Sequence, residues 1–114
     1  PRVAFLADML ELGGLERESH LRAGGLTVGL DLVVAIGPAS TALVEANPAA
    51  LHAPDALAAA DRLADVPAGA TVLVKGSRSM GMERLVAAIR AVSYSAEAGA
   101  WSPAAPRTPA GAPC

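Results

Sequence analysis

The chain has 114 residues and is poor in several of the things that most often announce a function. It has one cysteine, Cys114 at the last position, so no internal disulfide can form and no Cys/His spacing for zinc exists. Aromatic residues make up 3% of the chain, so any core must be built from Ala, Val and Leu. There is one lysine, Lys75, and no basic cluster, and the net charge of -2 gives no nucleic-acid footprint. No apolar run approaches the roughly 20 residues of a membrane span. The first residues lack the charged and apolar regions of a secretory signal. Together these absences predict a reduced, cytoplasmic setting. Pro1 opens almost directly into an expected strand, which predicts a fragment of something longer.

What is present is a rhythm of short apolar runs and helical patterns. Val3 to Ala7 is continuously apolar and ends at Asp8, as a strand buried on both faces does. A helix is expected from Glu16 to Val28, although Gly24 and Gly25 each cost it about 1 kcal/mol against alanine. A second strand covers Asp31–Ile36 and stops at Gly37; Pro38 then suits the first turn of a helix running to Ala46. Ala50–His52 forms a short third strand, and Asp55 offers an N-cap for a helix facing inward with Leu57, Ala60 and Leu63. The last strand covers Ala70–Val74. A final helix places Met82, Leu85, Val86 and Ile89 on one stripe.

Strands alternating with helices across short loops predict an α/β fold: a small Rossmann-like parallel sheet with flanking helices, spanning 1–92. Residues 93–114 are rich in Ala, Pro, Gly and Ser and are expected to form a disordered tail.

Ligands of such sheets bind beyond the carboxyl ends of the strands. Three expected strands end there in Asp8, in Gly37 and in Lys75-Gly76-Ser77-Arg78. If their strands are neighbours, Asp8 and Lys75 could hold a zwitterion or pair with each other. Lys75, Ser77 and Arg78 suit a carboxylate or phosphate, with Gly76 allowing close approach; the plainer alternative is a solvated strand end with a helix cap. The acidic residues Asp8, Glu11, Glu16 and Glu18 are expected to be solvated and not to hold a metal, and His20 and His52 to be satisfied structural histidines. There is no G-x-x-x-x-G-K-[ST] loop for a triphosphate and no G-x-G-x-x-G after the first strand.

Two separated motifs then agree. Asp8-Met9-Leu10-Glu11-Leu12-Gly13, followed by His20 and Gly24, resembles the start of the C-terminal domain of the Mur ligases. Val72-Leu73-Val74-Lys75-Gly76-Ser77-Arg78-Ser79-Met80 with Met82-Glu83 is similar to that domain's last strand, loop and helix. The likeness covers about Arg2 to Val92 and is strongest to the member that joins D-alanyl-D-alanine to a UDP-N-acetylmuramoyl-tripeptide. It implies a three-domain enzyme of peptidoglycan synthesis using ATP and magnesium, held mainly by a central ATPase domain absent here. It also implies that Asp8, Lys75, Ser77 and Arg78 face the cleft that receives the dipeptide, with no catalytic residue on this chain, which alone should not ligate anything. The family usually has glycine where this chain has Ala7, and its Asn-Pro-Arg selectivity motif for diaminopimelate or lysine is missing, since Asn47-Pro48 continues into Ala49. The alternatives are another Mur ligase domain and a free-standing, non-catalytic Rossmann-like module that captures a small anion.

Overall fold

The structure is a computed structural model that describes residues 1–10, 12–91, 93–95 and 100–102. Four parallel strands form its centre: β1 (Arg2–Ala7), β2 (Leu32–Ile36), β3 (Leu51–Ala53) and β4 (Thr71–Lys75). Their spatial order is β3-β2-β1-β4, with Phe5 of β1 opposite Val34 of β2 and Val74 of β4. Helix α1 (Glu16–Thr27) links β1 to β2 and α2 (Thr41–Ala46) links β2 to β3. The chain then crosses back beyond β1 through α3 (Ala56–Ala59) and a 3-10 segment, Ala60–Asp65. Helix α4 (Met82–Ala91) follows β4. This is the expected Rossmann-like α/β fold.

Strand alternation sorts the core into two layers. Val3, Phe5 and Ala7 of β1 point to one face, where they join Ala56, Ala59, Leu63, Met82 and Leu85 from α3, the 3-10 segment and α4. Val33, Ala35, Leu43 and Ala50 form the core of the other face, with Leu6 and Ala23 packed against them. With so few aromatics, Phe5 is the one large ring in the described core, fully buried under α4.

Of three local expectations, the first holds and the other two need correction. Helix α1 continues through Gly24 and Gly25 because Gly24 is a packing residue: a Cβ there would stand 2.3 Å from the Leu43 carbonyl oxygen and 2.8 Å from the Ala46 methyl. Helix α2 starts at Thr41 and not at Pro38, since Pro38–Ser40 forms a turn whose amides are taken by Asp8. Leu57, expected inside, is 79% exposed; Ala56 and Ala59 turn inward in its place, beside Leu63, which is buried as expected. The helix tightens into 3-10 geometry after Ala59, so an ideal 3.6-residue stripe does not describe this segment. The Asp55 cap is present, its carboxylate accepting from the Ala58 amide at 2.8 Å.

The disordered tail expected over 93–114 falls largely outside the described residues. Within it, Ser93–Ser95 (β5) and Ala100–Ser102 (β6) pair as a short antiparallel ladder. Glu11 also lies outside the described residues.

Candidate functional site

The strand order reverses between β1 and β4, so the loops after these two strands leave in opposite directions. In doubly wound sheets that crevice is where ligands bind. Here the two loops close on each other. The Ser77 amide donates to the Asp8 carbonyl at 3.1 Å, and the Leu10 amide donates to Ser77 Oγ at 2.7 Å. Gly76 permits this approach, because a Cβ at 76 would lie 2.5 Å from the Ala7 methyl. An alanine at position 7 is therefore compatible with the fold only while position 76 carries no side chain.

Asp8 is 2% exposed and faces the β2 side of β1, away from β4. Its carboxylate accepts from the Ala39 amide at 3.0 Å, the Ser40 amide at 2.7 Å and Ser40 Oγ at 2.7 Å. Gly37 makes room for it: φ is +104°, and a Cβ there would fall 2.6 Å from the carboxylate. A buried carboxylate needs such partners. Asp8 and Lys75 are thus on neighbouring strands but on opposite flanks, and among the described residues the ion pairs are Arg17–Glu45 and Arg62–Asp65.

His20 completes the arrangement from α1. It is 1% exposed; Nε2 accepts from the Met9 amide at 3.0 Å, and Nδ1 lies 2.7 Å from the Glu16 carbonyl, to which it must donate. Both nitrogens are used, which fits the expectation of a structural histidine. His52 Nε2 likewise donates to the Gly37 carbonyl at 2.7 Å. Asn47 is buried, donating from Nδ2 to Thr27 Oγ1 and accepting from the Ala49 amide, so Asn47-Pro48 ties α2 to α1.

The amides of residues 8, 9, 10, 39, 40 and 77 are all bound to groups of this chain. None is left to cradle a phosphate in the manner of a Gly-rich loop. No group of three His, Cys, Asp or Glu suited to a metal occurs among the described residues. Among the described residues, those at this edge do not supply a triphosphate cradle or a magnesium site.

Among the described residues, two cations project from this interlocked edge. Lys75, at the end of β4, and Arg78, in the 3-10 turn Arg78–Met80, are exposed and have no hydrogen-bond or ion-pair partner among the described residues. Sequence reading found Asp8 but not its partners Gly37 and Ser40. The signal was Gly-Pro-x-Ser following a strand that ends at the same sheet edge.

Lys75 also borders an apolar groove of about 300 Å³ between α1 and β4, together with Leu6, Met9, Ala23, Leu26 and Leu73.

A Rossmann-like sheet whose β1 and β4 loops are interlocked by the two motifs is consistent with the C-terminal domain of a Mur ligase. The relatives it resembles make the likeness particular. The chain is 36% identical over 94 residues to the UDP-N-acetylmuramoyl-tripeptide–D-alanyl-D-alanine ligase of Escherichia coli K12, a match covering 78% of this chain and 21% of that enzyme. It also matches MurF ligase from Thermotoga maritima, solved in complex with ADP, with a TM-score of 0.66, 28% identity and coverage of 76% of this chain and 21% of that one. MurF from Acinetobacter baumannii matches with a TM-score of 0.65 and 27% identity, covering 75% of this chain and 20% of that one. No family model matches. The chain spans about a fifth of the length of the relatives it matches.

Proposed function

We propose that this chain is the dipeptide-receiving domain of a ligase that adds D-alanyl-D-alanine to UDP-N-acetylmuramoyl-tripeptide, and that Lys75 and Arg78 bind the dipeptide carboxylate. The observation that carries this reading is the division of labour at the sheet edge. Asp8, Ser77 and His20 spend their polar atoms on the two loops, and Lys75 and Arg78 keep their charges outward. The expected four-residue binding set thereby narrows to two contact residues, Lys75 and Arg78, and two positioning residues, Asp8 and Ser77.

In this reading the rest of the enzyme, in the cytoplasm, supplies the UDP-sugar site and ATP with magnesium, which together activate the tripeptide carboxylate as an acyl phosphate. This domain's own residues hold the dipeptide so that its free amine can attack. The amine nitrogen forms the new amide bond and gives up a proton to solvent, the acyl–oxygen bond to phosphate breaks, and phosphate leaves. A cation pair on the far carboxylate holds the nucleophile in place without touching the reacting amine.

The test is a chimera: the Escherichia coli ligase carrying residues 1–92 of this chain in place of its matched segment. Lys75→Ala should raise KM for D-alanyl-D-alanine about tenfold, the loss of one charge-assisted hydrogen bond, with the melting temperature unchanged. An unchanged KM refutes the role. The exposed cations also support a second reading, a non-catalytic module that captures a small anion. That reading is favoured if the 114-residue chain alone binds D-alanyl-D-alanine no better than acetate while the chimera does not turn over.

A further inference from the structure

The first three amides beyond β1 are held by three different elements. Asp8 N–H donates to the Ile36 carbonyl of β2 at 3.0 Å, Met9 N–H to His20 Nε2 of α1 at 3.0 Å, and Leu10 N–H to Ser77 Oγ beyond β4 at 2.7 Å. The middle bond depends on one side chain in one tautomer. His20 Nδ1 stands 2.7 Å from the Glu16 carbonyl and carries the ring proton, which leaves the Nε2 lone pair for Met9. The helix that presents this ring is itself braced on α2. Gly24 lets the two helices meet closely, Asn47 Nδ2 donates to Thr27 Oγ1 at 3.1 Å, and Arg17 pairs with Glu45. His20 is thus a short strut from a fixed helix to the β1 loop.

We infer that His20 is a positioning residue for the dipeptide carboxylate, acting through the Asp8–Met9 peptide group and Ser77 on the spacing of Lys75 and Arg78. The substrate in this inference rests on the proposed function; the geometry does not. The Asp8 carbonyl and the Met9 N–H belong to one peptide plane, and in a trans peptide they point in opposite directions. The carbonyl accepts from the Ser77 amide at 3.1 Å, and the N–H donates to His20. Ser77 and His20 therefore grip the same plane from its two sides, and a rotation of that plane breaks both bonds. Gly76 adds little stiffness of its own between Lys75 and Ser77. The frame that carries the two cations takes its rigidity from the β1 loop, and that loop takes part of its own from His20.

His20→Gln and His20→Asn separate the two ring nitrogens. A glutamine oxygen can stand where Nε2 stands and keep the Met9 bond, whereas an asparagine NH₂ replaces Nδ1 at the Glu16 carbonyl and leaves the Met9 amide open. In the 114-residue chain, amide exchange at Leu10 and Ser77 should quicken about tenfold or more in His20→Asn and less than about threefold in His20→Gln, with Val34 in the sheet core reporting global opening. In the chimera, His20→Asn should raise KM for D-alanyl-D-alanine about fivefold or more with kcat within about twofold, and His20→Gln should hold the parent KM. That contrast should vanish once Lys75 and Arg78 are both alanine. Equal KM values for the two variants, in a chimera that responds to Lys75→Ala, overturn the inference, as does a contrast that survives without the two cations. The parent chain adds a test that needs no variant. Nitrogen NMR should show His20 protonated at Nδ1, with a scalar coupling from the Met9 amide to Nε2 across the hydrogen bond; an Nε2-protonated ring overturns the inference even where His20→Asn does not fold. A chimera whose KM ignores Lys75→Ala removes the functional reading, and the exchange contrast then decides the role of His20 in the frame by itself: equal exchange in the two variants ends it.

Discussion

The Asp8 carboxylate gives the sharpest separation between a positioning and a contact role at this sheet edge. Replacing it with alanine strands three donors: the Ala39 amide, the Ser40 amide and Ser40 Oγ. Ser40 is fully buried, so its two donors cannot turn to water. An unsatisfied buried donor costs about 1–3 kcal/mol, and the hydroxyl can rotate toward another acceptor, so Asp8→Ala should cost about 3 kcal/mol. That is a large share of the roughly 5–15 kcal/mol available to a domain of this size, and the melting temperature should fall by more than about 10 °C. Asp8→Asn keeps one acceptor oxygen but turns an amide NH₂ toward a backbone N–H, so about half that loss is expected. The assay is thermal and urea unfolding of the 114-residue chain followed by circular dichroism, with KM for D-alanyl-D-alanine measured on the corresponding chimeras. If Asp8→Asn matches the parent in stability and raises KM, the carboxylate faces substrate and the positioning role is wrong.

Other substitutions probe the scaffold. Gly24→Ala and Gly25→Ala, adjacent in α1, should have opposite signs in urea unfolding: a Cβ at 25 meets nothing within 4 Å and should add about 0.5–1 kcal/mol, whereas one at 24 meets the Leu43 carbonyl oxygen and should remove about 1–3 kcal/mol. Two stabilising results would mean that α1 and α2 are not packed at Gly24. The Arg17–Glu45 pair bonds through both guanidinium nitrogens at 2.9 and 2.8 Å, and the hydrogen bond from Arg17 holds the Glu45 carboxyl below its ordinary range. A depressed carboxylate contributes stability above its unfolded pKa and loses it as pH falls through the folded value. The gap in melting temperature between the parent chain and Glu45→Gln should therefore be present at pH 7, small because the pair is exposed, and closed below about pH 4. A gap that persists at pH 3 would show that the charge is not its source.

The parallel sheet was legible because its signal is local. Val3–Ala7, Leu32–Ile36 and Thr71–Val74 are uninterrupted apolar or β-branched runs, and such runs have few other uses in a chain without membrane-length segments. The stripe of α4 was legible for the same reason, with Met82 and Leu85 buried as its period predicts. Helix α1 was obscure because it hardly packs through aliphatic side chains. His20, Gly24 and Thr27 are its buried residues, and each works by a hydrogen bond or by close approach. Hydrophobic periodicity does not register those contacts. The inward face of α3 was misread at Leu57 because a switch to 3-10 geometry leaves little trace in side-chain type.

The site was half legible, for a reason that follows from distance along the chain. A residue type states what an atom can do, and the partner that uses it up is often far away. Asp8 meets residues 31 and 32 positions on, and Ser77 meets Leu10 across 67. Until those contacts are known, a carboxylate or hydroxyl at a strand end looks as available as a lysine. Once they are known, the three behave differently. Asp8 and Ser77 have short side chains that reach only nearby backbone, and the fold brings amides to both. Lys75 and Arg78 have long stems and, among the described residues, no acceptor, so their charges stand outward while the hydrogen-bonding groups beneath them are satisfied. The interlock and the cations are thereby coupled. Ser77 lies between Lys75 and Arg78 in sequence, and its two bonds to the β1 loop hold the backbone from which both cations project. A change at Ser77 would move the two charges relative to each other without removing either, whereas a change at Lys75 removes a charge from an unaltered frame.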